Sequence, residues 1–196
     1  MSSMMKKYVL ILVLTFTGLQ LWAQTGLKKG DDAPVFSATD NAGKAVDLKA
    51  LLKAHQSVLL FFYRGEWCPY CNKHIAQLQD SLQLLIAKGV YVIAVTPETK
   101  QGIDKTIRKT HASFSIVQDK GYFIMKSYKV NYVLDDATVA KYKGFGLDLN
   151  VSNGNTDHVL PVPATYLINP SGKIAFVHFN KDYTRRASVS DMMRAL

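Results

Sequence analysis

The chain has 196 residues, 48% of them hydrophobic and 20% charged, a balance that fits one compact domain with an ordinary core and excludes a long disordered protein. The formal net charge is +9, but the lysines are scattered and no arginine-rich stretch carries interleaved aromatics, so no nucleic-acid partner is expected. Two cysteines are too few for a disulfide-stapled scaffold, which needs several pairs to replace a missing core.

At the amino terminus, Lys6 and Lys7 precede an apolar run from Tyr8 to Phe16, and a small residue, Ala23, follows Leu21-Trp22. The run is short for a bilayer span, so residues 1–23 read as a secretory signal peptide and residues 24–196 as the exported, periplasmic domain. If the segment stays uncleaved it becomes an anchor, the one contact with a membrane that the sequence implies.

Val58 to Tyr63 is a continuous apolar run, as expected for a central strand buried on both faces. Ile75, Leu78, Leu82 and Leu85 then draw one stripe along a helix reaching Lys88, with Gly89 as its stop. Val90 to Val95 forms a second buried strand, and this β-α-β order implies parallel pairing through a right-handed crossover. Lys100 to Thr110 reads as a helix, Phe114 to Val117 as a short strand and Tyr122 to Tyr128 as a short helix. From Asn131 to Val159 the chain is polar and glycine-containing, apart from a helix capped by Asp135 or Asp136, and it has the length of a lid. Ala164 to Ile168 and Ile174 to His178 are strands joined by the turn Asn169-Pro170-Ser171-Gly172.

The chemistry centres on Trp67-Cys68-Pro69-Tyr70-Cys71, between the first buried strand and its helix. Unpaired N–H groups and the dipole at a helix start favour an anionic sulfur, so Cys68 is the expected nucleophile and Cys71, one turn on, the resolving thiol. Pro69 suits the first helical turn, and Trp67, Pro69 and Tyr70 offer contacts to a docking substrate. Three other uses of such a pair are metal binding, haem attachment and a structural disulfide. Cys68, Cys71 and His74 could be three zinc ligands, but no second cysteine pair completes such a site; haem attachment fails because Asn72, not histidine, follows Cys71; and a structural disulfide closing so short a loop constrains the unfolded chain little. No cofactor and no metal are expected.

Further blocks carry a resemblance. Gly30-Asp31-Asp32-Ala33-Pro34-Val35-Phe36 with Asp40-Asn41-Ala42-Gly43-Lys44 and Leu48, the cysteine stretch from Phe62 to His74, Val92 to Glu98, Leu160 to Ile174, and Asp182-Tyr183-Thr184-Arg185-Arg186 are together similar to peroxiredoxin-like members of the AhpC/TSA class. The resemblance implies an α/β thioredoxin fold, a central mixed sheet with helices on both faces and an N-terminal β-hairpin extension. It also implies a cis proline facing the cysteines. Pro163 matches that position, with Pro161 the competing candidate, and the Val162 carbonyl and N–H are expected to be free to pair with a substrate backbone.

Departures from the class bear on the substrate. Peroxide-reducing members carry threonine or serine three residues before the reactive cysteine, proline seven before it, and an arginine on a later strand; here Gly65, Phe61 and Ala175 stand at those places. Arg64 and Arg186 are alternative cations, read here as a surface loop residue and a solvated helix start. The expectation is therefore a thiol–disulfide oxidoreductase with an antioxidant or redox-homeostasis role and a potential on the order of −200 mV, served by a disulfide-bearing or dithiol client and a recycling reductant. Two alternatives stand beside it: a peroxiredoxin using Cys68 on hydroperoxides, and a non-enzymatic metal- or client-binding module. For the acid that takes the Cys71 proton, Glu66 and Glu98 are the candidates.

Overall fold

A computed structural model describes residues 25–196; the proposed signal segment lies outside the described residues. Ser37–Thr39 (β1) and Ala45–Asp47 (β2) pair antiparallel across the Asp40–Lys44 turn, where Gly43 takes φ 82° and the Asp40 carboxylate accepts the Ala42 and Lys44 N–H groups at 3.0 and 2.9 Å. Asp47 then caps the helix Leu48–Ala54 (α1) by accepting the Ala50 N–H at 2.7 Å.

The centre is a five-stranded mixed sheet. Ser57–Phe62 (β3) lies beside Val90–Thr96 (β4), and β4 beside Ser115–Gln118 (β5), both pairings parallel. On its other edge β3 pairs antiparallel with Ala164–Ile168 (β8), and β8 with Ile174–Phe179 (β9), giving the order β5-β4-β3-β8-β9. Alternate side chains of β3 supply both cores: Val58, Leu60 and Phe62 pack towards α1 and the helix Phe123–Ser127 (α5), whereas Leu59 and Phe61 pack towards the site helix. An unbroken apolar run is what a strand covered on both sides requires.

The stripe Ile75, Leu78, Leu82 and Leu85 is buried as its spacing implies, but the helix comes in two pieces, Pro69–Asp80 (α2) and Leu82–Ala87 (α3). Ser81 sits between them at φ −99°, ψ 3°, outside helical geometry, while keeping its N–H on the Gln77 carbonyl. One apolar face thus continues across a local break. Lys100–Thr110 (α4) covers the same sheet face, capped by the Thr99 hydroxyl.

The long polar segment is more ordered than its composition suggests. Asn131–Val133 (β6) pairs with Val159–Pro161 (β7), and between them stand Asp136–Gly144 (α6), capped by Asp135, and Leu149–Asn153 (α7). Helix α6 buries none of its residues. The chain closes with Val189–Arg194 (α8), whose Met192 enters the core beside α2. Among the described residues no helix is long and apolar enough to cross a membrane.

Candidate active site

Cys68 is the N-cap of α2, at the point where the chain leaves β3. Its N–H donates to the Gly65 carbonyl at 3.0 Å, its carbonyl accepts the Asn72 N–H at 3.1 Å, and Pro69 occupies the first turn where no N–H is needed. Cys71 follows one turn later. Both thiols are free, with Cys68 1% exposed and Cys71 0%.

The two sulfurs titrate as a pair. A hydrogen bond from the Cys68 thiol lets Cys71 carry the first negative charge, and the positive charge of Arg186 adds to it, so that, against the burial that opposes ionisation, Cys71 is brought down to about 6. The same bond, with burial, pushes the proton left on Cys68 well above the ordinary thiol range. The pair thus favours the first negative charge on Cys71, with Arg64 favouring charge on Cys68 and Arg186 on Cys71.

Both arginines lie elsewhere than their sequence positions suggest. Arg64 is 2% exposed and makes no ion pair among the described residues. Its guanidinium stacks over the rings of Tyr183 at 4.4 Å, Trp67 at 4.8 Å and Tyr142 at 5.7 Å, and it donates to the Tyr142 hydroxyl. A buried cation without a carboxylate is costly, and three π-faces offset that cost. Arg186, half-buried, places Nη2 3.4 Å from Cys71 Sγ.

A cleft of about 420 Å³ opens over Cys68, walled by Trp67, Pro69 and Tyr70 from the cysteine loop, Tyr142 and Phe145 from the α6 end, and Tyr183 from the segment after β9. Arg64 and Cys68 line it and Cys71 does not. Trp67 and Tyr142 meet at 5.6 Å, and Tyr70 and Tyr183 at 5.9 Å. The aromatic wall from 142–147 has no signature in the sequence, because α6 shows no amphipathic period to signal a packed face.

Of the two candidate acids, Glu66 is held ionised: although burial opposes it, the Lys109 ammonium and Lys105, 3.5 Å away, keep its carboxyl below the usual range. Glu98 is the opposite case. It is 0% exposed, accepts the Glu66 N–H, and receives the Thr106 hydroxyl at 3.5 Å. Burial foremost raises it to about 7. Its pocket depends on two glycines, since a Cβ on Gly65 or Gly102 would lie 2.9 or 2.8 Å from Glu98 Oε1.

Two expectations for the proline loop are corrected. No peptide bond among the described residues is cis, so Pro163 follows Val162 through a trans bond. Nor is the Val162 N–H free: it donates to the Val130 carbonyl at 2.7 Å, one step beyond the β6–β7 pairing. Val162 and Pro163 are buried and neither lines the cleft. His74, a candidate third ligand, is buried edge-on against Phe61 at 5.4 Å, and burial, ahead of the charge of Arg186, drives it down to about 3. No group of three or more histidine, cysteine or acidic residues among the described residues could hold a metal ion.

A free dithiol at a helix start, on a mixed sheet of this order, defines an oxidoreductase of the thioredoxin-fold thiol class. Residues 29–177 match the AhpC/TSA family, and the chain belongs to that family. It is 26% identical over 152 residues to the thiol-disulfide oxidoreductase ResA of Bacillus subtilis, covering 77% of this chain and 67% of that protein. It is 28% identical over 104 residues to the peroxiredoxin Bcp of Escherichia coli, covering 53% and 65%; the chain thus spans about two thirds of the length of these relatives. Among solved structures, peroxidoxin BcpB from Mycobacterium tuberculosis superposes with a TM-score of 0.65 at 16% identity, over 86% of this chain and 94% of the other, a likeness of fold.

Proposed function

We propose that the chain is a thiol–disulfide oxidoreductase in which Cys68 attacks a client disulfide and Cys71 resolves the adduct. The observation that carries this reading is that Cys68 lines the cleft and Cys71 lies behind it, outside the lining. Trp67, Pro69 and Tyr70 form the near wall against which a substrate docks. Residues 1–23 act as an export signal and residues 24–196 as a domain working outside the cytoplasm, where disulfide-bearing clients are found.

In the first step the shared proton moves to Cys71, and the Cys68 thiolate attacks one sulfur of the client disulfide. A Cys68–client bond forms, the client S–S bond breaks, and one client thiolate leaves. Glu98, poised near neutrality and electrostatically coupled to Cys71, then accepts the Cys71 proton. The Cys71 thiolate attacks Cys68 Sγ, giving the Cys68–Cys71 disulfide and the second client thiolate. An external dithiol returns the enzyme to its reduced form.

The absence of the hydroxyl and proline positions of peroxide-reducing relatives favours disulfides over peroxides. Stopped-flow Trp67 fluorescence on the reduced protein tests it directly. Faster oxidation by a mixed-disulfide peptide than by peroxide is expected, and the reverse order would make the chain a peroxiredoxin. Independently, Cys71→Ser should accumulate client mixed disulfides and Cys68→Ser should not; equal adducts on both would refute the order of attack.

A further inference from the structure

Arg186 lies in the tail between β9 and α8, and its guanidinium is held from behind. Nη1 donates to the Tyr183 carbonyl and to the Arg185 carbonyl at 2.9 Å, which turns the opposite edge inward, Nη2 reaching Cys71 Sγ at 3.4 Å. No carboxylate pairs with it among the described residues. The two histidines facing it, His74 and His178, are both displaced by burial towards their neutral forms. Asp182 lies within range of its charge without pairing with it, and the Cys71 sulfur is the titratable group to which the guanidinium donates.

The other groups around that sulfur do not supply a cation in contact with it. Tyr63 is buried and Tyr132 partly so, and burial keeps both phenols neutral, above the usual range. Glu98, when ionised, opposes a second charge, and Cys68 contributes a hydrogen bond. Arg64 lies towards Cys68 and the cleft, and it reaches Cys71 only through a backbone hydrogen bond. A fully buried sulfur surrounded by apolar side chains would ordinarily stay protonated. The hydrogen bond from Cys68 and, after it, a guanidinium fixed on the sulfur work against that preference.

We propose that Arg186 is a positioning residue that keeps the negative charge of the dithiol on Cys71, making Cys71 the leaving thiolate when a thiol opens the Cys68–Cys71 disulfide. This rests on the thiol–disulfide exchange described above. A reductant thiolate attacks Cys68 Sγ and forms a new S–S bond to it. The Cys68–Cys71 bond breaks, and its electron pair departs on Cys71, where Arg186 Nη2 receives the charge. The reduced state is stabilised relative to the disulfide, so the centre is more easily reduced than the same motif without the guanidinium.

The test uses the chain carrying Cys68→Ser, in which Cys71 is the single thiol, with Arg186 intact or changed to Gln or Lys. Ultraviolet thiolate absorbance is followed against pH. With Arg186 intact the midpoint should fall below that of an ordinary free thiol; a midpoint at or above it overturns the proposal whether or not any Arg186 variant folds. Arg186→Gln should raise the midpoint by about one unit or more, and Arg186→Lys should recover much of the shift. In the native pair, Arg186→Gln should move the glutathione equilibrium about tenfold towards the disulfide, a fall in potential of about 30 mV. An unmoved midpoint in a folded Arg186→Gln chain, or a shift that lysine does not reduce, also overturns it. Failure of the unmutated chain to exchange with glutathione at all, with the midpoints as expected, would count against the exchange reading and leave the Arg186 contact standing.

Discussion

At the scale of single residues, the site is decided by neighbours that sequence proximity conceals. Glu66 stands beside the cysteine motif, yet α4 brings Lys105 and Lys109 onto its carboxylate and fixes it ionised. Glu98 stands 27 positions after Cys71 in the chain but lies buried under the cysteine loop, with its proton affinity raised from 4.5 to about 7. Arg64 reads as a solvated loop residue because a buried guanidinium usually has a carboxylate; its aromatic partners Tyr142 and Tyr183 come from distant segments that no local pattern connects. Glu98 makes a measurable prediction. Below about pH 4.5 the group is protonated in both folded and unfolded chains and costs nothing. Between there and pH 7 the folded chain binds more protons, so stability falls as pH rises, by about 3 kcal/mol once pH exceeds the folded value. Glu98→Gln removes that loss. Its Tm should match the parent near pH 4 and exceed it by several degrees at pH 8, while resolution of the mixed disulfide slows; a Tm difference independent of pH would show that Glu98 titrates normally.

Among the elements, those with a strong internal period were legible and those made by remote pairing were not. The two faces of β3, the stripe of α2 and α3, the α4 boundaries and the β8–β9 hairpin with its Asn169–Gly172 turn all follow from local spacing. The β6–β7 pair escapes such reading because each strand has three residues and 25 residues separate them. The break at Ser81 escapes it too, since the apolar stripe crosses it without interruption. Helix α6 is the informative case: it buries none of its residues and is held by the Asp135 cap, whose carboxylate accepts the Thr138 N–H and hydroxyl at 2.8 Å each, and by the Arg64–Tyr142 hydrogen bond. Asp135→Ala should weaken the start of α6, and because α6 contributes little to the core, the loss should be local. Amide exchange over 136–144 should quicken several-fold and alkylation of Cys68 should accelerate as the aromatic wall loosens. Unchanged exchange there, with an altered global Tm, would mean that α6 is part of the main cooperative unit.

For the whole molecule, the site depends on one strand serving two cores. Because β3 is central and its side chains alternate, Leu60 belongs to the core covered by α1 and α5, and Phe61 to the core under α2, where it meets His74 at 5.4 Å and Phe114 at 5.8 Å. The cysteine loop begins directly after this strand, so loosening either face disturbs the position of Cys68. Both side chains are fully buried, and truncation leaves a cavity that neighbours fill only in part. Leu60→Ala should cost about 2–5 kcal/mol and Phe61→Ala about 3–5 kcal/mol in urea unfolding. If the two cores form one cooperative domain, as the shared strand requires, the far-ultraviolet signal and Trp67 fluorescence should lose their native values at the same urea concentration in each variant. Separated transitions, with Trp67 released first in Phe61→Ala and second in Leu60→Ala, would show that the two faces unfold independently and that the redox centre rides on the α2 face alone.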